Sequence, residues 1–137
     1  MESLNAKQVV TRFLDAVTEG DDATITDSFA TDASWSVAGD IPGVTGTFEG
    51  RDSILGEFLA SALQLFEPGS MNFVVRSIVA EGELVSAEWN LKARTAHGAV
   101  YDNYYNVMFE VRQGRIAAVR EYTDTLYAKQ VLGPVAG

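Results

Sequence analysis

Hydrophobic residues recur with the period of a helix along the first half of the chain and with the period of a strand along the second. Val10, Phe13, Leu14 and Val17 fall at i, i+3, i+4 and i+7, one face of a helix. Asn5 with Gln8 three residues on forms a capping-box pair before them, and Gly20 supplies a stop after them. Asp21 or Asp22 starts a second, short helix with Ile25 and Phe29 on one side. Trp35–Ala38 reads as a brief strand. Gly39 to Gly50 holds four glycines and Pro42, which predicts a loop with tight turns. Ile54, Phe58, Ala62 and Leu65 then restore the helical period, with Leu55, Leu59 and Phe66 broadening the stripe until Pro68–Gly69 ends it.

Beyond that point the pattern changes. Met71–Ala80, Leu84–Thr95, Val100–Arg112 and Arg115–Thr123 are rich in Val, Ile, Tyr, Phe and Trp. Short turns at Glu81–Gly82, Ala96–His97–Gly98 and Gln113–Gly114 separate them. Helices first and an antiparallel meander second describes an α+β fold. A long curved sheet with helices on one face leaves a cavity between its layers, the default place for a ligand.

Composition narrows the function. At 137 residues, 47% of them hydrophobic, the chain is expected to form a single domain, 1–137, with one core. The formal charge of −9 argues against nucleic acid, whose binders displace counterions with a basic face, and against an anionic membrane surface. Cysteine is absent, which removes disulfides and thiol chemistry. The N-terminal residues do not read as a signal peptide, and no run approaches the ~20 apolar residues of a membrane span. A cytoplasmic location is therefore expected. There is no G-x-x-x-x-G-K or G-x-G-x-x-G phosphate loop, no H-E-x-x-H and no D-x-D-x-D-G calcium loop. The single histidine, His97, sits before a glycine in a hairpin turn and reads as an exposed turn residue. No metal and no organic cofactor are expected. Carboxylates, tyrosines and amides remain as the chemical equipment.

Three segments then form a recognisable series: AVTEGDDATITDSFATDASW, GTFEGRDSILGEFL and YDNYYNVMFEVRQGRIAAVREYTDT. In this order they resemble the SnoaL-like branch of the nuclear transport factor 2-like superfamily, from about Val9 to Leu126. The resemblance implies a cone, a cystatin-like α+β barrel in which a strongly bent antiparallel sheet wraps around three helices from the N-terminal half. It also implies a homodimer and a small hydrophobic ligand or substrate. Relatives include polyketide cyclases, ketosteroid isomerases, limonene epoxide hydrolases, dehydratases and domains without activity. Val37 matches the position where ketosteroid isomerases carry their proton-shuttling aspartate, and Asn106 the position of their oxyanion-hole aspartate. The Arg-x-Asp pair of the epoxide hydrolases falls on Glu88 and Asn90, and the remaining acid of that set on Glu121.

Alternation sorts the candidate residues. Tyr101, Asn103, Tyr105, Val107, Phe109 and Val111 share one face of their strand, the more apolar one, and are aimed at the pocket. Asn106, Met108 and Tyr104 lie on the other, a candidate dimer surface. Ala117, Val119 and Glu121 share a face of the last strand, so Glu121 would be desolvated and its pKa raised toward the range useful to a general acid or base, unless an ion pair holds it. Asn103 and Tyr105 would orient a substrate oxygen or a water, or Tyr105 would simply pack in the core. Trp35, Phe13, Phe58, Phe48, Tyr101 and Val119 are candidates for core and pocket wall. Glu88 and Asn90 pose a conflict: composition buries the alternate set, Ala87, Trp89, Leu91 and Ala93, while the epoxide hydrolase resemblance turns Glu88 and Asn90 toward the cavity. Asp124 reads first as a cap, and Asp40 as an acid on a rim loop. The expected function is cofactor-independent acid/base catalysis on a small hydrophobic oxygenated molecule. The alternative is a noncatalytic binding or dimerising module.

Overall fold

A computed structural model describes residues 4–41 and 44–136, the last three of these as backbone only. Helix α1 (Ala6–Glu19) is capped as its sequence predicts: Asn5 Oδ1 accepts the Gln8 amide at 2.8 Å and Gln8 Oε1 accepts the Asn5 amide at 2.9 Å. Gly20 closes it at φ +71°. Val9, Val10, Phe13 and Ala16 form its buried face. Helix α2 (Asp22–Ser28), capped by Asp21, is one residue shorter than its apolar pattern suggests. Phe29 does not lie on that helix. It opens strand β1 (Phe29–Val37), because its ring packs edge-on against Phe13 at 5.2 Å and its backbone pairs with the last strand. Tertiary contacts thus lengthen the brief strand read at Trp35–Ala38.

The glycine-rich segment is also not wholly loop. Gly46–Glu49 forms β2, antiparallel to β1, with Trp35 opposite Phe48. Pro42 lies outside the described residues. The next helix runs without a break through α3 (Arg51–Ser53), a π-helical stretch (Ile54–Leu59) and α4 (Ala60–Gln64). Strands β3 (Asn72–Glu81), β4 (Leu84–Arg94), β5 (Val100–Arg112) and β6 (Arg115–Thr123) form the expected meander. A C-terminal helix, α5 (Thr125–Ala136), follows, an element the sequence reading did not predict.

The six strands make one open sheet in the order β2-β1-β6-β5-β4-β3. Every pair is antiparallel except β1 with β6. Irregular register between β1 and β6, β3 and β4, and β5 and β6 bends the sheet, as extra residues in one strand do. Its concave face receives α1 and the helical run 51–64. The buried residues there fall into two clusters, one around Phe13, Trp35, Phe58 and Phe109, the other around Phe66, Leu91, Tyr101 and Leu132. The convex face exposes Tyr104 and Tyr122. The curved α+β sheet around helices is the architecture the sequence suggests, with α5 added at its end.

Candidate active site

A cavity of about 310 Å³ opens between the two core clusters. That volume is at the small end of the ~300–1,000 Å³ typical of ligand sites. Its wall is mostly hydrocarbon and aromatic ring. Helix α1 contributes Phe13, the π-helical stretch Phe58, β1 Trp35, β4 Trp89 and α5 Leu132. The aromatic rings brace one another: Trp35 lies 5.1 Å from Phe58, and Trp89 stacks on Tyr105 at 6.1 Å with an 18° tilt.

Into this wall β6 projects Glu121. The parallel pairing sets Val37 of β1 beside Glu121, and the period of two then brings Trp35 and Val119 to the same face. Trp35 Nε1 donates to Glu121 Oε1 at 3.2 Å. Among the described residues no basic side chain pairs with the carboxylate. Burial among apolar groups pushes its pKa up to about 7, and the Trp35 hydrogen bond only partly opposes this. Asp22, the other carboxylate on the wall, is exposed and belongs to the rim.

At another part of the wall stand two tyrosines from β5. The Tyr101 and Tyr105 hydroxyls are 2.8 Å apart. Burial raises the pKa of both phenols, and the nearby Glu121 charge adds to the rise, so both keep their protons. Asn103 shares their face but stands behind them. Its Nδ2 donates to the Tyr101 hydroxyl at 2.9 Å and to the Asp124 carbonyl at 3.2 Å, and its Oδ1 accepts the Tyr104 amide at 2.9 Å. Both amide protons are therefore engaged by protein, and the side chain reaches the cavity only through Tyr101. The expectation that Asn103 itself holds a substrate oxygen is corrected on this ground.

The remaining candidates divide. Phe13, Trp35, Phe58, Tyr101, Tyr105 and Glu121 line the cavity together. Val119 is fully buried in the adjoining core, and Phe48 supports Phe58 from behind at 5.0 Å; neither is on the wall. Glu88 and Asn90 are on the convex face, against the epoxide hydrolase resemblance. Burying Val85, Ala87, Trp89 and Leu91 against the helices decides which way β4 turns. Glu88 is exposed and accepts from Ser77 at 3.2 Å. Asn90, buried on that outer face, accepts from Arg76 and donates to Asp102 at 3.1 Å. Asn106 also faces outward, bonded by Ser86. Asp124 caps α5 by accepting the Tyr127 amide at 3.1 Å. Asp40 is exposed beside Lys129 at 3.4 Å, and His97 is exposed in its turn.

Composition placed Trp89 and Leu91 in the buried set of β4 but did not single them out as cavity wall, where the structure puts them. Sequence reading missed Ala128 and Leu132, which α5 brings to the wall. The spacing of Tyr127, Ala128, Val131 and Leu132, all of which pack on the second core cluster, was the available signal.

A family model for the SnoaL-like domain matches residues 10–119. Among solved structures, the chain is similar to an NTF2-like protein from Burkholderia thailandensis E264, with a TM-score of 0.84 and 19% identity over 93% of this chain and 97% of that one. It is similar to Bal32a from a soil-derived mobile gene cassette, with a TM-score of 0.78 and 26% identity over 90% and 92%. It is also similar to TerC, crystallised with polyporic acid, with a TM-score of 0.80 and 18% identity over 91% and 95%. No protein of curated function matches.

Proposed function

The chain belongs to the SnoaL-like domain family, and on that premise we propose that its cavity carries out acid/base chemistry, without a cofactor, on a small hydrophobic oxygenated molecule. The observation that carries this reading is Glu121: a carboxylate inside an apolar cavity, with a pKa near 7, one neutral donor beside it and, among the described residues, no cation. A group that titrates there can take a proton in one step and return it in the next. Isomerisation and ring closure both need that exchange with no net proton change. Tyr105, which keeps its proton, supplies a hydrogen bond while Glu121 does the transfer.

Proton transfer can be tested before the natural substrate is known. Bicyclic ketones small enough for the cavity are incubated with the protein in D2O, and loss of the α-proton signal is followed by proton NMR. The wild type should accelerate exchange, and Glu121→Gln should lose that acceleration while folding normally. A Glu121→Gln protein that exchanges as fast as wild type removes Glu121 from the chemistry.

One observation favours the noncatalytic alternative. Val37, at the position where isomerase relatives place their aspartate, cannot move a proton, so among the described residues the wall holds one buried acid. Ligand binding with no exchange on any ketone, in the wild type as in the variant, would make the domain a carrier.

A further inference from the structure

Hydrogen-bond bookkeeping around Asn103 determines which way the tyrosine hydroxyls point. A backbone amide can only donate, so the atom of Asn103 facing the Tyr104 amide is the oxygen. The nitrogen is then the atom beside Tyr101, and the Tyr101 hydroxyl accepts from it. Tyr101 still has its own proton to place. It is 1% exposed, its ring packs against Phe66 at 5.2 Å and Tyr127 at 5.6 Å, and the Tyr127 hydroxyl already accepts the Asp102 amide. Among the described residues the only acceptor within reach is the Tyr105 oxygen at 2.8 Å. The opposite orientation would leave a buried O–H unpaired, which is the costly arrangement.

We propose that Asn103 and Tyr101 form a one-way relay that leaves the Tyr105 proton facing the cavity, so that Tyr105 selects ligands carrying an acceptor oxygen, a carbonyl above all, over equally shaped hydrocarbons. Tyr105 touches the ligand; Asn103 and Tyr101 are positioning residues that act through it. The relay begins at the carbonyl of Asp124, so the cap of α5 and the selectivity of the cavity belong to one network. Accepting from Tyr101 also makes Tyr105 a better donor, since hydrogen bonds in a chain polarise one another. The inference deepens the proposed function, but it concerns binding, and it holds even if no turnover exists.

The test uses 1-indanone and indane, which share a bicyclic frame and differ in the carbonyl. Binding is read at equilibrium from the fluorescence of the cavity tryptophans, Trp35 and Trp89. At pH 9 Glu121 is ionised and can only accept, while Trp35 is engaged with it and Thr123 donates to the Tyr104 carbonyl. The Tyr105 hydroxyl is then the donor left for a ketone, whose carbonyl competes for that proton with the neighbouring Thr123 oxygen. Wild type should bind 1-indanone about tenfold more tightly than indane, as one hydrogen bond allows. Tyr105→Phe should erase the preference between the two compounds. Tyr101→Phe should reduce the preference, and the carbonyl stretch of bound 1-indanone should return part of the way toward its value in the Tyr105→Phe complex. Equal affinity for the two compounds in wild type overturns the inference. So does a preference that survives Tyr105→Phe, a Tyr101→Phe complex with an unchanged stretch, or failure of 1-indanone to bind at millimolar concentration. Loss of deuterium exchange with the binding preference intact would instead count against Glu121 alone.

Discussion

Replacing Glu121 by Gln should stabilise the protein, and by an amount that depends on pH. The ordinary pKa of this carboxyl is 4.5 and burial raises it to about 7 in the folded chain. Below pH 4.5 the group is protonated whether the chain is folded or not, and burial exacts no ionisation cost. Between the two values the folded state keeps a proton that the unfolded state has released. Stability then falls as pH rises, by about 1.4 kcal/mol per pH unit. Two and a half units of difference give a total of about 3 kcal/mol, fully lost above pH 7. Against a typical domain stability of about 5–15 kcal/mol, that is a large penalty for one side chain.

Gln has the same shape, cannot ionise and can still accept the Trp35 hydrogen bond. Urea unfolding of wild type and Glu121→Gln is compared at intervals from pH 4.5 to 9. Any offset from the extra amide protons is the same at every pH, so the slope carries the information. The variant should gain about 3 kcal/mol on wild type between the ends of the range, with the change centred between pH 4.5 and 7. Asp27 and Glu110, whose pKa values are lowered by Arg115 and Arg120, lose their favourable ionisation only at lower pH and do so in both proteins. Asp22 at the rim and the two tyrosines complete the groups near the carboxylate, and the tyrosines do not titrate in this range. A difference that is flat with pH would mean that Glu121 is not desolvated, and the proposed proton transfer would lose its basis.

Other changes have equally definite outcomes. Trp35→Phe removes the one interaction that holds the Glu121 pKa down, so the carboxyl carbon signal in NMR should titrate above the wild-type midpoint near 7; an unchanged or lower midpoint would contradict the assignment of causes. Gly39→Ala should cost about 1–3 kcal/mol in chemical unfolding, because φ is +114° there and a Cβ would meet Thr125 Cγ2 at 2.6 Å. Asn103→Ala leaves the Tyr104 amide and the Asp124 carbonyl without their buried partner and should cost about 2–4 kcal/mol by the same assay.

Much of the fold was legible because local pattern and tertiary need agree in it. The capping box of α1, the meander and the inward set of β5 follow from spacing alone. Where they disagree, the reading failed for a physical reason. Phe29 has a helical neighbour spacing with Ile25, yet its ring is worth more against Phe13 than on a short helix. Gly46–Glu49 carries one large apolar residue, Phe48, and pairs only because β1 presents a free edge. Gly133 and Pro134 masked the helical period of α5. On β4 composition and the resemblance to relatives disagreed over Glu88 and Asn90, and the structure sides with composition: two buried large apolar residues, Trp89 and Leu91, orient a strand more firmly than an inherited motif position.

The site depends on a property that no strand pattern contains. Tyr101 and Tyr105 are four residues apart on β5, about 13 Å along a flat strand. Their hydroxyls meet at 2.8 Å because both rings lie on the inside of a curved sheet, where side chains converge. Strand register does the rest: Trp89 stands directly opposite Tyr105 and stacks on it, and Trp35 lies diagonal to Glu121 across β1 and β6, within hydrogen-bonding distance. On the convex side the geometry reverses, and Tyr104 and Tyr122 diverge into solvent. Alternation and register therefore assign a residue's face and its cross-strand neighbours, but only the bend brings Tyr101 and Tyr105 of one strand together. A sequence with the same alternation and a flatter sheet would keep these side chains in the core and lose the hydrogen-bonded pair, the desolvated acid and the cavity together.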